Sequence, residues 1–323
     1  MLSRPRCRVA PGVPMFQPMF SSIARLCSVA AISLIPALWA QSPPLNTVPE
    51  ATFRSDTRLV VLNISVFDAD GRIVRDLPKS AFTVSEDGQE QTISSFRQED
   101  VPISLGLIID KSASMTDKRD RVASAALALV KASNREDEVF IINFNEAAVL
   151  AKDFTSDTKD LEKALRSIDP AGETAMRDAL LLGIEHLRHS ARRDKKVLVV
   201  VTDGEDNSSV ETQAHLVQVA QRNDVIIYAV GLLGAEEPAS AARAKKQLDQ
   251  LTSETGGRAW FPNDVAEIAN IAPEIAHEIR NQYVLSYTPS NLATDGTFRK
   301  IRVEVASPKA TVRTRSGYYA PRE

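Results

Sequence analysis

The sequence ISLGLIIDKSAS at residues 103–114 determines the fold. Its first seven residues form a nearly continuous apolar run that leads directly into Asp110. A second run, VLVVV at residues 197–201, leads in the same way into Thr202-Asp203-Gly204. Strands buried on both faces of a parallel sheet have this composition. We therefore predict two strands of one parallel sheet, each leading into an aspartate at its carboxyl end.

The same pattern continues along the chain from these two runs. Further apolar runs occupy residues 139–144 and 225–230, and amphipathic helical patterns separate the runs. The helical patterns are Val122, Ala125, Ala126, Leu129 and Val130; Leu161, Ala164, Leu165 and Ile168; residues 175–190; residues 239–255; and residues 265–281. Alternating strands and helices predict a doubly wound α/β domain with a mostly parallel sheet over residues 100–281.

Short strands with turn signals flank this domain on both sides. Residues 58–99 contain Asp70-Gly71 and Asp87-Gly88, which are typical of hairpin turns. Residues 282–323 offer strands at 283–287, 299–305 and 311–315, with a turn at Asp295-Gly296. Each segment alone is too small to form a stable sheet. We predict that the two segments combine into one small β-sandwich-like unit, with the α/β domain inserted between them.

The first forty residues resemble a secretory leader. Arg4, Arg6, Arg8 and Arg25 precede an apolar run at residues 26–40, which ends in Ala40. The run is shorter than the roughly 20 residues that span a bilayer, so cleavage is favoured over a retained anchor, which stays open as the alternative. Residues 41–57 are polar and Pro-rich and are typical of a linker. The protein is therefore expected to be exported, to the periplasm or the extracellular space.

Removal of the leader changes the composition. Cys7 and Cys27 are the two cysteines, and both lie within it, so the mature chain has no disulfide and no thiolate site. The leader also carries four of the 39 Lys and Arg residues and no acidic residue, which leaves 35 basic against 42 acidic residues and a net charge of about −7. No basic tract is dense enough to indicate nucleic-acid binding.

Oxygen donors follow the predicted strands. The carboxyl ends of parallel strands share one edge of a sheet, so Asp110, Ser112, Ser114 and Asp203 are expected to meet there. Thr174, in the loop that opens a predicted helix, offers a fifth donor. Two carboxylates and three hydroxyls suit Mg²⁺ or Mn²⁺ and leave a coordination position for an outside carboxylate. Taken alone, the Ser-rich turn is equally typical of a helix cap.

The pattern Asp110-x-Ser112-x-Ser114, then Thr174, then Asp203 resembles the metal-ion-dependent adhesion site of von Willebrand factor type A and integrin inserted domains. Ala113 stands where that family usually has glycine. Residues 58–321 also resemble a group of exported bacterial proteins through Tyr283-x-Leu285-x-Tyr287 and Gly317-Tyr318-Tyr319. The resemblance implies direct coordination by Ser112 and Ser114 and a protein partner that presents an Asp or Glu carboxylate. It also implies a ligand-driven shift of the last helix, residues 265–281.

Two enzyme classes compete with this interpretation. An aspartyl-phosphate transferase of the haloacid-dehalogenase type would use Asp110 as nucleophile and Lys195 or Lys196 on the phosphate, but it usually has a second aspartate where Ser112 stands. A Ser-His-Asp hydrolase is disfavoured because no Gly-x-Ser-x-Gly motif occurs. Glycine patterns that bind phosphates are also missing. We therefore expect no catalysis.

Other polar residues have simpler interpretations. Asp178, one turn beyond Thr174, is expected to be a structural hydrogen-bond acceptor rather than a partner of the metal ligands. Glu205 and Asp206 are expected to be solvated. The four histidines lie in helical patterns without ligand spacing: His186, His189, His215 and His277.

Overall fold

The computed structural model describes residues 59–98, 100–132, 134–166, 171–307 and 309–322. The predicted leader, the predicted linker and Ile168 lie outside the described residues. The strands are β1 (Val60–Phe67), β2 (Phe82–Glu86), β3 (Gln89–Gln91), β4 (Ile93–Arg97), β5 (Ile103–Asp110), β6 (Glu138–Phe144), β7 (Ala148–Thr155), β8 (Lys195–Thr202), β9 (Val225–Gly231), β10 (Ala259–Trp260), β11 (Tyr283–Tyr287), β12 (Phe298–Val305), β13 (Thr311–Arg313) and β14 (Gly317–Tyr319). The α-helices are α1 (Arg119–Ala132), α2 (Thr158–Arg166), α3 (Met176–Ser190), α4 (Gln213–Arg222), α5 (Pro238–Thr255) and α6 (Ile268–Arg280).

Six strands form the central sheet in the order β10-β9-β8-β5-β6-β7. All neighbours in it are parallel except β7, which pairs antiparallel with β6 at the edge. The predicted α/β fold is therefore confirmed. Strand β7 was not predicted, because most of its residues are exposed or half-buried and it has no continuous apolar run. Strand β10, which has only two residues, was not predicted either.

Helices cover both faces of this sheet. Side chains of α1, α2 and α6 pack into one hydrophobic cluster with one face, and side chains of α3, α4 and α5 pack into a second cluster with the other. Gly106 in β5 lets the second layer close. A Cβ atom built there would lie 2.3 Å from Phe140 and 2.4 Å from Leu198, closer than atoms can approach.

The two flanking segments pair with each other, as predicted. One antiparallel sheet has the order β13-β1-β11-β4, and the other has the order β14-β12-β2-β3. Each combines strands from before and after the α/β domain, and Leu62 in β1 lies opposite Leu285 in β11. The two sheets share one apolar cluster, to which Val84 and Ile301 contribute from the second sheet. Because β11 begins three residues after α6 ends, the last helix leads directly into this β unit.

The hairpin between β2 and β3 turns at Asp87-Gly88, as predicted. Both residues have positive φ, 49° and 85°. This is the conformation that a two-residue hairpin of the I′ type requires. Among the described residues, no helix has both the length and the apolar character needed to cross a membrane.

Candidate metal site at the carboxyl end of the parallel sheet

Adjacent strands bring Asp110 and Asp203 to the same edge. Strands β5 and β8 are parallel neighbours, with Ile109 opposite Val201, so Asp110 ends one strand beside Thr202, the last residue of the other. The Thr202 hydroxyl donates to Asp110 Oδ2 at 2.7 Å. The chain after Thr202 then continues into Asp203, which is fully buried.

Asp110 is a buried carboxylate that accepts hydrogen bonds on both oxygens. Its side chain is held by the Ser112 backbone N–H, which donates to Oδ1 at 2.7 Å, and by Thr202 on Oδ2. Burial raises the pKa of Asp110 to about 6, because an apolar surrounding disfavours the charged form. The hydrogen bonds from Thr202 and Ser112 act against this increase in pKa, whereas the negative charge of Asp203 adds to it. A cation would stabilise this pair of carboxylates.

Two serines connect the carboxylates. Ser112 Oγ lies 3.1 Å from Ser114 Oγ, and Ser114 Oγ donates to Asp203 Oδ1 at 2.8 Å. The turn that carries them is short, and the Met115 N–H donates to Ser112 O within it. Four of the five predicted ligands are thus linked by direct hydrogen bonds.

Thr174 is held by its backbone to the loop that follows β8. Its N–H donates to Asn207 Oδ1 at 3.0 Å, and its carbonyl accepts from the N–H groups of Asn207 and Ser208. The preceding loop is tied to the serine turn, because the Ala113 N–H donates to Gly172 O and the Ala171 N–H donates to Lys111 O. Thr174 is therefore buried between the loops that follow β5 and β8.

Three residues at this edge were not singled out from the sequence as contributors to the site. They are Thr202, which binds Asp110; Asn207, which fixes Thr174; and Lys118, whose Nζ lies 2.5 Å from Asp203 Oδ2. Thr202 had a usable signal, because it is the last residue of an apolar strand. Lys118 and Asn207 had none, because their contacts depend on how two loops fold.

The acidic residues near the site have structural roles. Asp178 accepts hydrogen bonds from the N–H groups of Val210 and Glu211 and so holds the loop after β8, as predicted. The expectation that Asp206 is solvated was wrong. Its side chain is fully buried, pairs with Arg177 at 3.2 Å and accepts from the Arg177 N–H. Glu205 is paired with Arg243 at 3.0 Å.

The donor set fits a small divalent cation. It contains two carboxylates and three hydroxyls, all of them oxygen, and the four buried members are Asp110, Ser112, Thr174 and Asp203. Mg²⁺ and Mn²⁺ prefer such ligands. Within the described ranges, no group of three or more His, Cys, Asp or Glu side chains is arranged to hold a metal. Hydroxyl ligands would therefore have to make up the coordination at this edge.

Comparisons with known proteins give the following matches. The model of the von Willebrand factor type A domain matches residues 105–274, more than half of the chain. An uncharacterized protein of Borreliella burgdorferi is 24% identical over 178 residues, which cover 54% of this chain and 51% of that protein. The match thus spans about half the length of the curated relative.

Solved structures match with lower identity. A von Willebrand factor type A protein from Catenulispora acidiphila has a TM-score of 0.50 and 14% identity, and the match covers 83% of this chain and 75% of that one. At this identity, it shows the fold alone. Proximal thread matrix protein 1 from the mussel byssus, solved with a zinc-occupied MIDAS motif, has a TM-score of 0.47 and 17% identity over 60% of this chain and 49% of that one.

Proposed function

This chain belongs to the von Willebrand factor type A family, and on that premise we propose that it binds another protein through a divalent metal ion. The ligands are Asp110, Ser112, Ser114, Thr174 and Asp203, and the ion is Mg²⁺ or Mn²⁺. The observation that carries the proposal is the meeting of two buried carboxylates with hydroxyl groups at the carboxyl end of the sheet.

The chain's own groups would hold the ion and keep it open to a partner. When bound, the metal would supply a positive charge with an exchangeable position for a partner's Asp or Glu carboxylate. Asp110 is oriented by Thr202 and the Ser112 N–H, and Asp203 by Ser114. These bonds fix the carboxylates before any ligand arrives, which lowers the cost of ordering them on binding.

The rim around this edge offers a contact surface for a protein. Val210 is 90% exposed although it is apolar, and it lies on the loop after β8. That loop is held in place by Asp178, which accepts from the Val210 N–H at 3.0 Å and from the Glu211 N–H at 3.1 Å. An exposed apolar side chain on a fixed loop can pack against a partner without a large ordering cost.

The phosphotransferase alternative assigns the phosphate to Lys195 or Lys196, which would then have to lie at the same edge as Asp110. Lys195 is the first residue of β8, opposite Ile103, and its Nζ donates to Ile279 O. The other end of β8 is seven residues away, or about 23 Å at the usual rise of a strand. Lys195 is therefore too far from Asp110 to hold a phosphate there, and Lys196 follows it by only one residue.

Calorimetric titration with Mg²⁺ and Mn²⁺ tests the metal site. We expect one site in the wild type, none in Asp110→Ala, and unchanged binding in Asp117→Ala. Asp117 is the matched control because it is an exposed acid in the segment between β5 and α1. Saturation at 100 times the dissociation constant should also stabilise the wild type by about 2.7 kcal/mol. Equal binding by wild type and Asp110→Ala would contradict the site.

Two further measurements test the partner and the absence of catalysis. A pull-down from the exported fraction, with and without chelator, should recover a partner only when the metal is present. Phosphatase and esterase substrates should not turn over with Mg²⁺. Turnover that is lost in Asp110→Asn would instead favour the phosphotransferase.

Export itself is checked by cell fractionation and by sequencing the mature amino terminus, which we expect at Gln41.

A further inference from the structure

Asp203 already has a cation partner within the chain. Lys118 Nζ lies 2.5 Å from Asp203 Oδ2, while Ser114 Oγ donates to the other oxygen, Oδ1, at 2.8 Å. The side chain of Asp203 is 0% exposed and that of Lys118 is 16% exposed. This is a largely desolvated ion pair, and its acidic member is one of the five proposed metal ligands.

A divalent ion and the Lys118 ammonium would compete for the same carboxylate. Both are cations that need the oxygens of Asp203, and like charges a few ångströms apart repel strongly where water is excluded. The proposed site contains two carboxylates, and Lys118 offsets one of these negative charges. A cation that enters the site is therefore attracted less strongly, because the Lys118 ammonium already offsets part of the negative charge of the carboxylates.

The side chain of Lys118 can move its ammonium away from Asp203. The backbone of Lys118 is fixed at the start of α1, because its carbonyl accepts from the N–H groups of Arg121 and Val122 and its own N–H donates to Met115 O. The ammonium, however, is at the end of four flexible methylene groups and is partly exposed to solvent. It can therefore swing away from Asp203 without any change in the backbone.

From this geometry we propose that Lys118 is a built-in competitor of the metal ion and sets the metal affinity of the site. In the metal-free protein, its ammonium neutralises Asp203. Metal binding requires the ammonium to leave Asp203 Oδ2, and the cost of breaking that ion pair weakens the apparent affinity. The inference rests on the proposed metal site, and it adds a residue outside the ligand set that controls how tightly the site holds its ion.

Removal of the charge tests this role. Lys118→Met keeps the length of the side chain and removes the ammonium, and Lys118→Arg keeps the charge. Lys111→Met is the matched control, because Lys111 lies in the same segment between Asp110 and α1. Calorimetry with Mg²⁺ and Mn²⁺ should show binding at least about tenfold tighter in Lys118→Met, the magnitude expected when one close charge pair no longer opposes binding. Lys118→Arg and Lys111→Met should stay within a few-fold of wild type.

A second readout separates competition from a structural role. In chelator, Lys118→Met should unfold at a lower temperature than wild type, because Asp203 is left buried without its counter-charge. The variant should thus be less stable without metal and bind metal more tightly. Lys118→Gln, which can still donate a hydrogen bond, serves if Lys118→Met fails to fold.

The possible outcomes distinguish this inference from the proposed function. Equal or weaker metal binding in Lys118→Met overturns the inference and leaves the metal site standing. Binding by Lys118→Met but not by wild type supports the inference in its strongest form. No binding by any variant overturns both, because Lys118 then has no metal to compete with.

Discussion

Asp110 and Lys195 are buried ionisable side chains at opposite ends of two adjacent strands of the parallel sheet. Asp110 is the last residue of β5, at the carboxyl end, and Lys195 is the first residue of β8, at the amino end. Burial raises the pKa of Asp110 to about 6 and lowers the pKa of Lys195 to about 7. At both ends, the loss of water disfavours the charged form, so each group lowers the stability of the fold when it is charged.

The two ends differ in what surrounds the charge. Lys195 donates to Ile279 O at 2.5 Å, and the carboxylates of Asp100, Asp137 and Glu278 act to raise its pKa. Asp110 has hydrogen bonds but no cation among the causes of its shifted pKa, and the charge that acts on it is that of another carboxylate, Asp203. The charges that act on the pKa of Lys195 are opposite in sign, whereas the charge that acts on the pKa of Asp110 is like in sign. Lys118, at the carboxyl end, pairs with Asp203 and not with Asp110. A buried charge alone does not indicate a ligand site, but one that no opposite charge of the chain offsets is a candidate for one.

The largest expected effect concerns Lys195. Its folded pKa of about 7 lies below the ordinary 10.5, so the unfolded chain binds more protons between these values and stability rises with pH across that window. At about 1.4 kcal/mol for each pKa unit, the gain is at most about 5 kcal/mol. Urea unfolding from pH 6 to 10 should show this rise in wild type and not in Lys195→Met. Lys196→Met, one residue further along β8, should behave as wild type. Parallel curves for all three proteins would contradict the expected rise, and would mean that the nearby carboxylates offset the effect of burial in full.

The second effect has the opposite sign and concerns Asp110. Its folded pKa of about 6 lies above the ordinary 3.8, so the metal-free protein should lose stability as pH rises from about 4 to about 6. The expected loss is about 3 kcal/mol. In chelator, Asp110→Asn should lack this loss and be more stable than wild type at pH 7.5, although it binds no metal.

Chemical unfolding at pH 4, 5, 6 and 7.5 measures that difference. Asp117→Asn, an exposed acid in the same segment, is the control and should follow wild type. If Asp110→Asn is the less stable protein at pH 7.5 in chelator, then the carboxylate is compensated within the chain, and the contrast between the two ends fails.

Much of this arrangement could be predicted from the sequence, for a physical reason. A strand buried on both faces has to be apolar along its length, so β5, β6, β8 and β9 are visible as continuous runs. Where such a run stops at an aspartate, the position of the carboxylate follows from the topology of the sheet. The edge strand β7 meets no such requirement on its exposed side, and it could not be seen.

The remaining features depend on loop conformation. The Lys118–Asp203 ion pair joins residues 85 positions apart, and the buried Arg177–Asp206 pair joins residues 29 apart. No local pattern encodes either contact. Lys195 is a different case, because its place seven residues before Thr202 already assigns it to the opposite end of β8. The sequence therefore contained an argument against its role as a phosphate ligand.

The smallest effect tests how the amino end compensates Lys195. Asp100 is the largest of the three carboxylate influences that raise the pKa of Lys195, and it is also ion-paired with Arg280 at the carboxyl-terminal end of α6. Asp100→Asn removes one negative charge without changing the size of the side chain. The pKa of Lys195 should then fall further, because less negative charge opposes the effect of burial. We expect a decrease of a fraction of a pH unit, equivalent to less than about 1 kcal/mol.

The measurement compares the pH dependence of stability of Asp100→Asn with that of the double variant Asp100→Asn/Lys195→Met. The midpoint of the difference between the two curves reports the decrease in the pKa of Lys195. Asp70→Asn, an exposed acid in the β unit, should leave the midpoint unchanged. An unchanged midpoint in Asp100→Asn would mean that Ile279 O and the other two carboxylates suffice. A rise in the midpoint would contradict the role of Asp100 as a carboxylate that raises the pKa of Lys195.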